Sequence, residues 1–229
     1  MIRNLKPITE NSRKKIITFW NWFQKNEQEI YYAFYLNIKK KEMIAQMIKK
    51  LDYVSKSIGF VIKPSTEFED KYTFIFTGNG LRRLFAKMIA LENQAPTLEH
   101  FTAQAFIKPL EDTAMYKDGT DDPCVCKNFE IKISEIQMAL LDYNIAKKAI
   151  KIDLFLPDYN ELKQYEDLES TIEYIVMQII GEIAFHKHMR EINLHPMPLE
   201  PVGLLPLIEL PEFIAYLYQI NSRKKTRMI

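Results

Sequence analysis

Apolar residues near the start of the chain recur at helical spacing. Ile16, Phe19, Trp20 and Phe23 fall three and four apart, so they share one face of a helix that begins near 10–12, where Asn11 or Ser12 can cap it. Trp22 stands off that stripe. After a short break at Asn26 and Glu27, the stripe Ile44, Met47, Ile48 and Leu51 predicts a second helix over 41–55, with Lys49 and Lys50 outside it. Then the period changes. The runs 59–63 and 72–77 are short and rich in β-branched and aromatic residues, which predicts two strands joined by a polar loop. Gly78-Asn79-Gly80 ends the second strand, 81–89 is helical in period, and 101–107 alternates as a strand up to Pro109.

The rest of the chain alternates less regularly. Residues 110–123 are polar, acidic and rich in turn formers, and read as a mobile loop. Residues 129–133 and 150–156 alternate as strands. The segment 136–143 fits either period and is read as a strand, because 144–148 can turn the chain back into 150–156. Leu168, Ile172, Ile175, Val176 and Ile179 predict a helix over 167–180, with Gly181 as its C-cap. The segment 183–194 stays open between helix and strand. A proline-rich span, 196–206, precedes a short helix over 211–220 and a basic tail. No internal repeat or low-complexity tract is visible. Strands that come in runs, rather than alternating with helices, predict an α+β fold, a mostly antiparallel β-sheet packed against several helices. The expected organisation is a single domain over 1–229, with a frayed N-terminus and a basic C-terminal tail.

Composition narrows the function classes. A hydrophobic content of 47% belongs to a globular chain. Six glycines, with Gly78 and Gly80 the only close pair, leave no phosphate-cradling loop. Lys and Arg number 31 against 30 Asp and Glu, so no bulk charge draws the chain to nucleic acid. The clusters Arg13-Lys14-Lys15, Lys39-Lys40-Lys41 and Arg223-Lys224-Lys225 adjoin helical sequence and read as solvated helix faces or ends. The start of the chain has no apolar h-region, and no window reaches ~18 uninterrupted apolar residues. These features point to a cytoplasmic protein with no membrane partner.

Candidate chemistry is sparse. His186 and His188 are two apart: on a strand both can face one metal ion, on a helix they point apart. With His195 they place three of the four histidines within ten residues, and Glu182 stands close by in sequence. Read as the end of the preceding helix, Gly181-Glu182 puts a carboxylate where the helix dipole opposes it. Cys124 and Cys126 are separated by one residue, too close for an easy disulfide and short of the usual zinc spacing, although the histidines can in principle complete such a site. Asp118, Asp121 and Asp122 crowd the 110–123 loop without calcium-loop spacing and read as a solvated acidic loop. His100 and Ser134 are isolated. No nucleophile elbow or zinc-protease motif is present.

The run Phe19-Trp20-Asn21-Trp22-Phe23, with Asn26-Glu27 after it, resembles the start of a bacterial family of uncharacterised proteins. In that family an FWxWF helix is followed by a β-hairpin, a strand ending in an Ala-Phe motif and a later helix closed by Gly-Glu. The counterparts here are Ala105-Phe106-Ile107-Lys108-Pro109 and Gly181-Glu182. Two departures stand out: Gln104 precedes the Ala-Phe motif, and the strand begins Phe101-Thr102 where the family carries a tryptophan. The resemblance implies a fold and a cytoplasmic bacterial setting, and no activity.

The leading expectation is a non-catalytic protein-binding module of immunity or accessory type, with no cofactor and no resident metal. Its interface anchors are Trp22, Tyr31, Tyr32 and Tyr35, aromatic residues at and just after the head helix. The alternative is an enzyme or metal-binding protein that uses Glu182, His186 and His188, with Cys124 and Cys126 as further metal candidates.

Overall fold

The computed structural model describes residues 5–68, 70–144 and 146–226, without the side chains from 220 onward. The expected fraying of residues 1–4 and the last three residues of the tail lie outside this description. The chain divides into two compact units, 1–107 and 108–229, a boundary of which the hydrophobic pattern gives no sign.

In the first unit, helix α1 (Glu10–Lys25) is capped by Thr9, whose hydroxyl accepts the Ser12 N–H at 3.2 Å. The cap lies just before Asn11 and Ser12, which are both inside the helix. The Ile16, Phe19, Trp20 and Phe23 face is buried. Asn26 makes the break: its N–H bonds the Trp22 and Phe23 carbonyls and its side chain also holds Trp22 O, at 2.6 Å. Helix α2 (Glu27–Tyr35) follows at once, and α3 (Lys40–Val54) comes next. Helix α3 buries Met43, Met47, Leu51 and Val54, while Ile48 is 49% exposed. The buried face is therefore turned from the stripe read in sequence, because Met43 and Val54 extend the 47–51 spacing and Ile48 does not.

Strands β1 (Gly59–Pro64) and β2 (Tyr72–Thr77) form an antiparallel hairpin. Helix α4 (Arg82–Asn93) carries the chain over to β3 (Phe101–Ala105), parallel to β2. Phe106, with a left-handed φ of 68°, ends that strand two residues before the expected limit. The core is a web of rings: Phe23 lies 5.3 Å from Phe74 and 5.2 Å from Phe101, and Trp20 5.8 Å from Phe76. The Trp20 indole N–H donates to Leu91 O at 2.9 Å, which satisfies its one polar atom.

The second unit opens with a short helix, α5 (Ala114–Lys117), and a small antiparallel ladder of β4 (Cys124–Val125) with β5 (Glu130–Ile131). A 3-10 turn, Ile133–Glu135, interrupts the strand expected over 129–133. Strands β6 (Gln137–Asn144) and β7 (Ala149–Leu156) form the second hairpin. Helices α6 (Tyr159–Leu162), α7 (Leu168–Ile180) and α8 (Glu182–His188) then lead to β8 (Met189–Pro196), parallel to β7. Strand β9 (Leu205–Pro206) pairs with β6, and α9 (Leu210–Thr226) closes the chain. Ile150, Ile152, Leu154 and Leu156 point inward from β7 and meet Ile172, Ile175, Val176 and Ile179 of α7 in an aliphatic core.

Antiparallel pairings outnumber parallel ones among the described strands, and helices cover the sheets: the fold is α+β. The ambiguous segment 183–194 is both helix and strand. Arg190 marks the change, its guanidinium bonding the carbonyls of His186, Lys187 and Met189 at the end of α8. The expected mobile loop, 110–123, has anchors its composition hides. Leu110 N–H donates to Gln178 O at 3.0 Å, and Leu110 and Tyr116 pack on the core.

Candidate functional site

Helix α2 presents tyrosines at 31, 32 and 35. Tyr31 and Tyr35, one turn apart, stack with ring centres 5.4 Å apart and planes within 8°. The imidazole of His100 stacks on Tyr31 at 4.1 Å, Tyr72 meets Tyr31 edge-on at 6.0 Å, and Tyr32 lies 5.7 Å from it. His100 is held in place through its backbone N–H, which donates to the Glu27 carboxylate at 2.7 Å. Burial, followed by the neighbouring Tyr35 and Tyr72 hydroxyls, pushes the Tyr31 hydroxyl above its ordinary pKa. The outer part of the group faces water: Tyr35 is 62% exposed and Tyr32 46%, and Leu36 and Ile38, which follow in the chain, are 51% and 58% exposed. An exposed apolar group of this kind, built on a fixed stack, is the surface expected of a binding site.

Trp22 belongs to a different neighbourhood. It is half-buried, its ring meets Phe19 and Phe23, and Lys50 Nζ sits 5.4 Å from its centre. The sequence grouped the three tyrosines with Trp22; the fold groups them with His100 and Tyr72. The i, i+4 spacing of Tyr31 and Tyr35 was legible, whereas His100 arrives through the β2–β3 pairing, which no local pattern encodes.

The Glu182, His186 and His188 segment is helical, so the two imidazoles lie about 200° apart around α8 and do not share a face. Glu182 opens α8 rather than closing α7. Gly181 separates the helices at φ 80° and ψ 148°, so the carboxylate meets a favourable helix dipole, not an opposing one. Glu182 is fully buried. His186 has a buried Nε2 with no hydrogen-bond partner, and burial holds its pKa below the ordinary value against the pull of Glu182 and Glu173. His188 faces the other way. Its Nδ1–H donates to Lys148 O at 2.8 Å, and the Tyr218 hydroxyl touches Nδ1 and donates to the same carbonyl at 3.1 Å. His195 lies out on β8, 3.3 Å from Asp153 on β7.

Cys124 and Cys126 are free thiols at the β4–β5 ladder. Burial pushes the Cys126 thiol up, only partly countered by a hydrogen bond with Thr171, which disfavours the thiolate that a metal or a nucleophilic reaction needs. Among the described residues no three His, Cys, Asp or Glu side chains converge on a point where a metal ion would fit.

The acidic loop is only partly solvated. Asp118 and Asp122 are exposed, but Asp121 is 3% exposed. One Asp121 oxygen accepts the Ile133 and Ser134 N–H groups at 3.0 and 3.3 Å and so caps the 3-10 turn. Ser134, isolated in sequence, is thereby a neighbour of Asp121. It also lines an open groove of about 460 Å³ with Tyr116, Lys117, Lys132 and Glu135. The groove mixes both signs of charge and holds no paired acid and base.

The chain matches no family model, no curated protein and no solved structure. No helix among the described residues is long and apolar enough to cross a membrane.

Proposed function

We propose that this chain is a non-catalytic cytoplasmic bacterial protein of immunity or accessory type, which acts by binding another protein through the α2 tyrosine surface. The observation that carries the reading is the Tyr35–Tyr31–His100 stack with Tyr32 against it and open to water, followed in the chain by the exposed Leu36 and Ile38. Rings already held against one another lose little freedom on association, so more of their contact energy appears as affinity. The setting follows the resemblance of the Phe19–Phe23 run. The enzyme or metal alternative finds no support in the placement of Glu182, His186 and His188 on α8.

The test is a partner pull-down from the native cell with two variants, both first shown to melt like the parent. Tyr32→Ala/Tyr35→Ala should lose the partner, since central aromatic anchors each carry about 2 kcal/mol or more. Glu182→Gln/His186→Ala/His188→Ala should keep it. Loss of the partner in the second variant alone would end this reading and move attention to α8.

A further inference from the structure

One side of α8 gathers positive charge that no carboxylate among the described residues pairs with. The His188–Lys148 bond brings the Lys148 backbone to His188, which stands one residue after Lys187 and two before Arg190. Lys148 is exposed, sits at a left-handed φ of 53°, and places Nζ 5.1 Å from the centre of the Tyr218 ring. Arg190 is exposed too, but its guanidinium is already bonded to three carbonyls, at 2.8 to 3.3 Å. Among the described residues the ion pairs of this unit lie elsewhere: Lys151 with Glu191 at 2.6 Å and Lys117 with Glu212 at 3.1 Å, while Asp153 lies 3.3 Å from His195. The carboxylates that act on α8, Glu173 and Glu182, act on His186, away from this side.

Holding like charges together costs free energy, offset in part at 148 by the contact of Lys148 with the Tyr218 ring. A left-handed turn position suits Asn or Gly better. Beyond the effect of burial, Lys148 opposes protonation of Lys187; at His188 the bond to the Lys148 carbonyl favours the charged ring, while Lys187, Lys148 and Arg190 oppose it. Such a cluster is relieved by an anion seated on it.

We propose that the Lys148–Lys187–Arg190 surface binds an acidic segment of a partner protein, with Asp or Glu carboxylates seated on the two ammonium groups. A carboxylate segment suits this surface better than a nucleic acid does. The chain as a whole is balanced at +1, so there is no extended field to follow a phosphate backbone. The Tyr218 ring already carries Lys148 on one face and meets the His188 imidazole, so it is occupied as a stacking platform. The Arg190 fork is committed to carbonyls and cannot grip a phosphate bidentately. This surface shares no residue with the α2 tyrosines, so it stands or falls without them.

The test uses the full chain and a fluorescein-labelled ten-residue Asp/Glu peptide, followed by anisotropy. Binding should weaken with added salt, fall about tenfold or more in Lys148→Glu/Lys187→Glu, and fall less in Lys148→Gln/Lys187→Gln. A second readout needs no variant. The charged or titratable groups around His188 are Lys148 from the turn, Lys187 and Arg190 from its own stretch, and Tyr218 from α9, with Tyr143 behind Tyr218. Burial holds the His188 imidazole below its ordinary pKa of 6.5. An occupying anion cancels the repulsion, so His188 should titrate at higher pH in saturating peptide, and the peptide should bind more tightly in acid. An unmoved His188 titration, or equal binding by the charge-reversed variant, overturns the proposal. So does tighter binding of a ten-nucleotide oligo(dT), or of phosphatidylserine vesicles, than of the peptide.

Discussion

Trp20 and Trp22 are two residues apart and do opposite work. Trp20 is 3% exposed, its ring is wedged among Phe19, Phe23 and Phe76, and its N–H is spent on Leu91 O. Trp20→Ala leaves a ring-sized cavity and an unpaired carbonyl, so it should cost about 3–5 kcal/mol. The urea midpoint measures that loss, and an unchanged midpoint would mean that α1 is not docked on the sheet. Ionisation at the His188–Tyr218 contact gives a second expectation. Burial holds His188 and His186 below their ordinary 6.5, so the unfolded chain binds more protons as the pH falls through that value, and stability drops in acid. Burial and Tyr143 push Tyr218 up to about 12. The unfolded tyrosine loses its proton near 10, so stability drops again between pH 10 and 12. Urea midpoints across pH should show both limbs, and Tyr218→Phe should flatten the alkaline one. An alkaline limb untouched by that substitution would place the titration on another group.

Among the elements, Gly181 carries the largest consequence for its size. It ends α7 and starts α8 with φ 80° and ψ 148°, a backbone region nearly closed to residues with a Cβ. Gly181→Ala should therefore destabilise by about 1–3 kcal/mol, read from the thermal midpoint, and should also disturb the seat of Glu182. An alanine protein as stable as the parent would show that the junction has another low-energy form. Sequence marked this glycine as a cap but could not show that a second helix starts at the next residue. The 183–194 run has an apolar spacing that fits both periods, and the choice was made by partners distant in sequence: β7 for the strand half and Lys148 for His188. The strongly periodic pieces were legible for the opposite reason. Ile16 to Phe23 and Ile150 to Leu156 each carry enough local apolar contrast to set their own burial. Asp121 was not legible, since nothing in Asp118-Gly119-Thr120-Asp121-Asp122 says which carboxylate turns inward to cap the 3-10 turn.

Across the whole chain the same topology occurs twice. In each unit an antiparallel hairpin leads through helix to a third strand, parallel to the second and next to it: β1-β2-β3 in one, β6-β7-β8 in the other. No sequence repeat announces this, because strand order is set by connection length and twist and not by residue identity. The two cores differ in kind, one built on Phe and Trp rings, the other on Ile, Leu and Val. Each unit is on the order of 100 residues, the size at which a domain buries enough surface to fold by itself. The periodicity of the chain, read alone, merged them, since hydrophobic spacing reports which residues are buried and not which core buries them. If each core is self-sufficient, residues 1–107 and 108–229 expressed separately should both be monodisperse and melt cooperatively. The near-ultraviolet circular dichroism of the two pieces should then sum to that of the full chain. The first piece should supply the tryptophan part of that signal, since both tryptophans lie in it. A second fragment that binds hydrophobic dye and melts without a transition would show that its aliphatic core needs the rest of the chain to close.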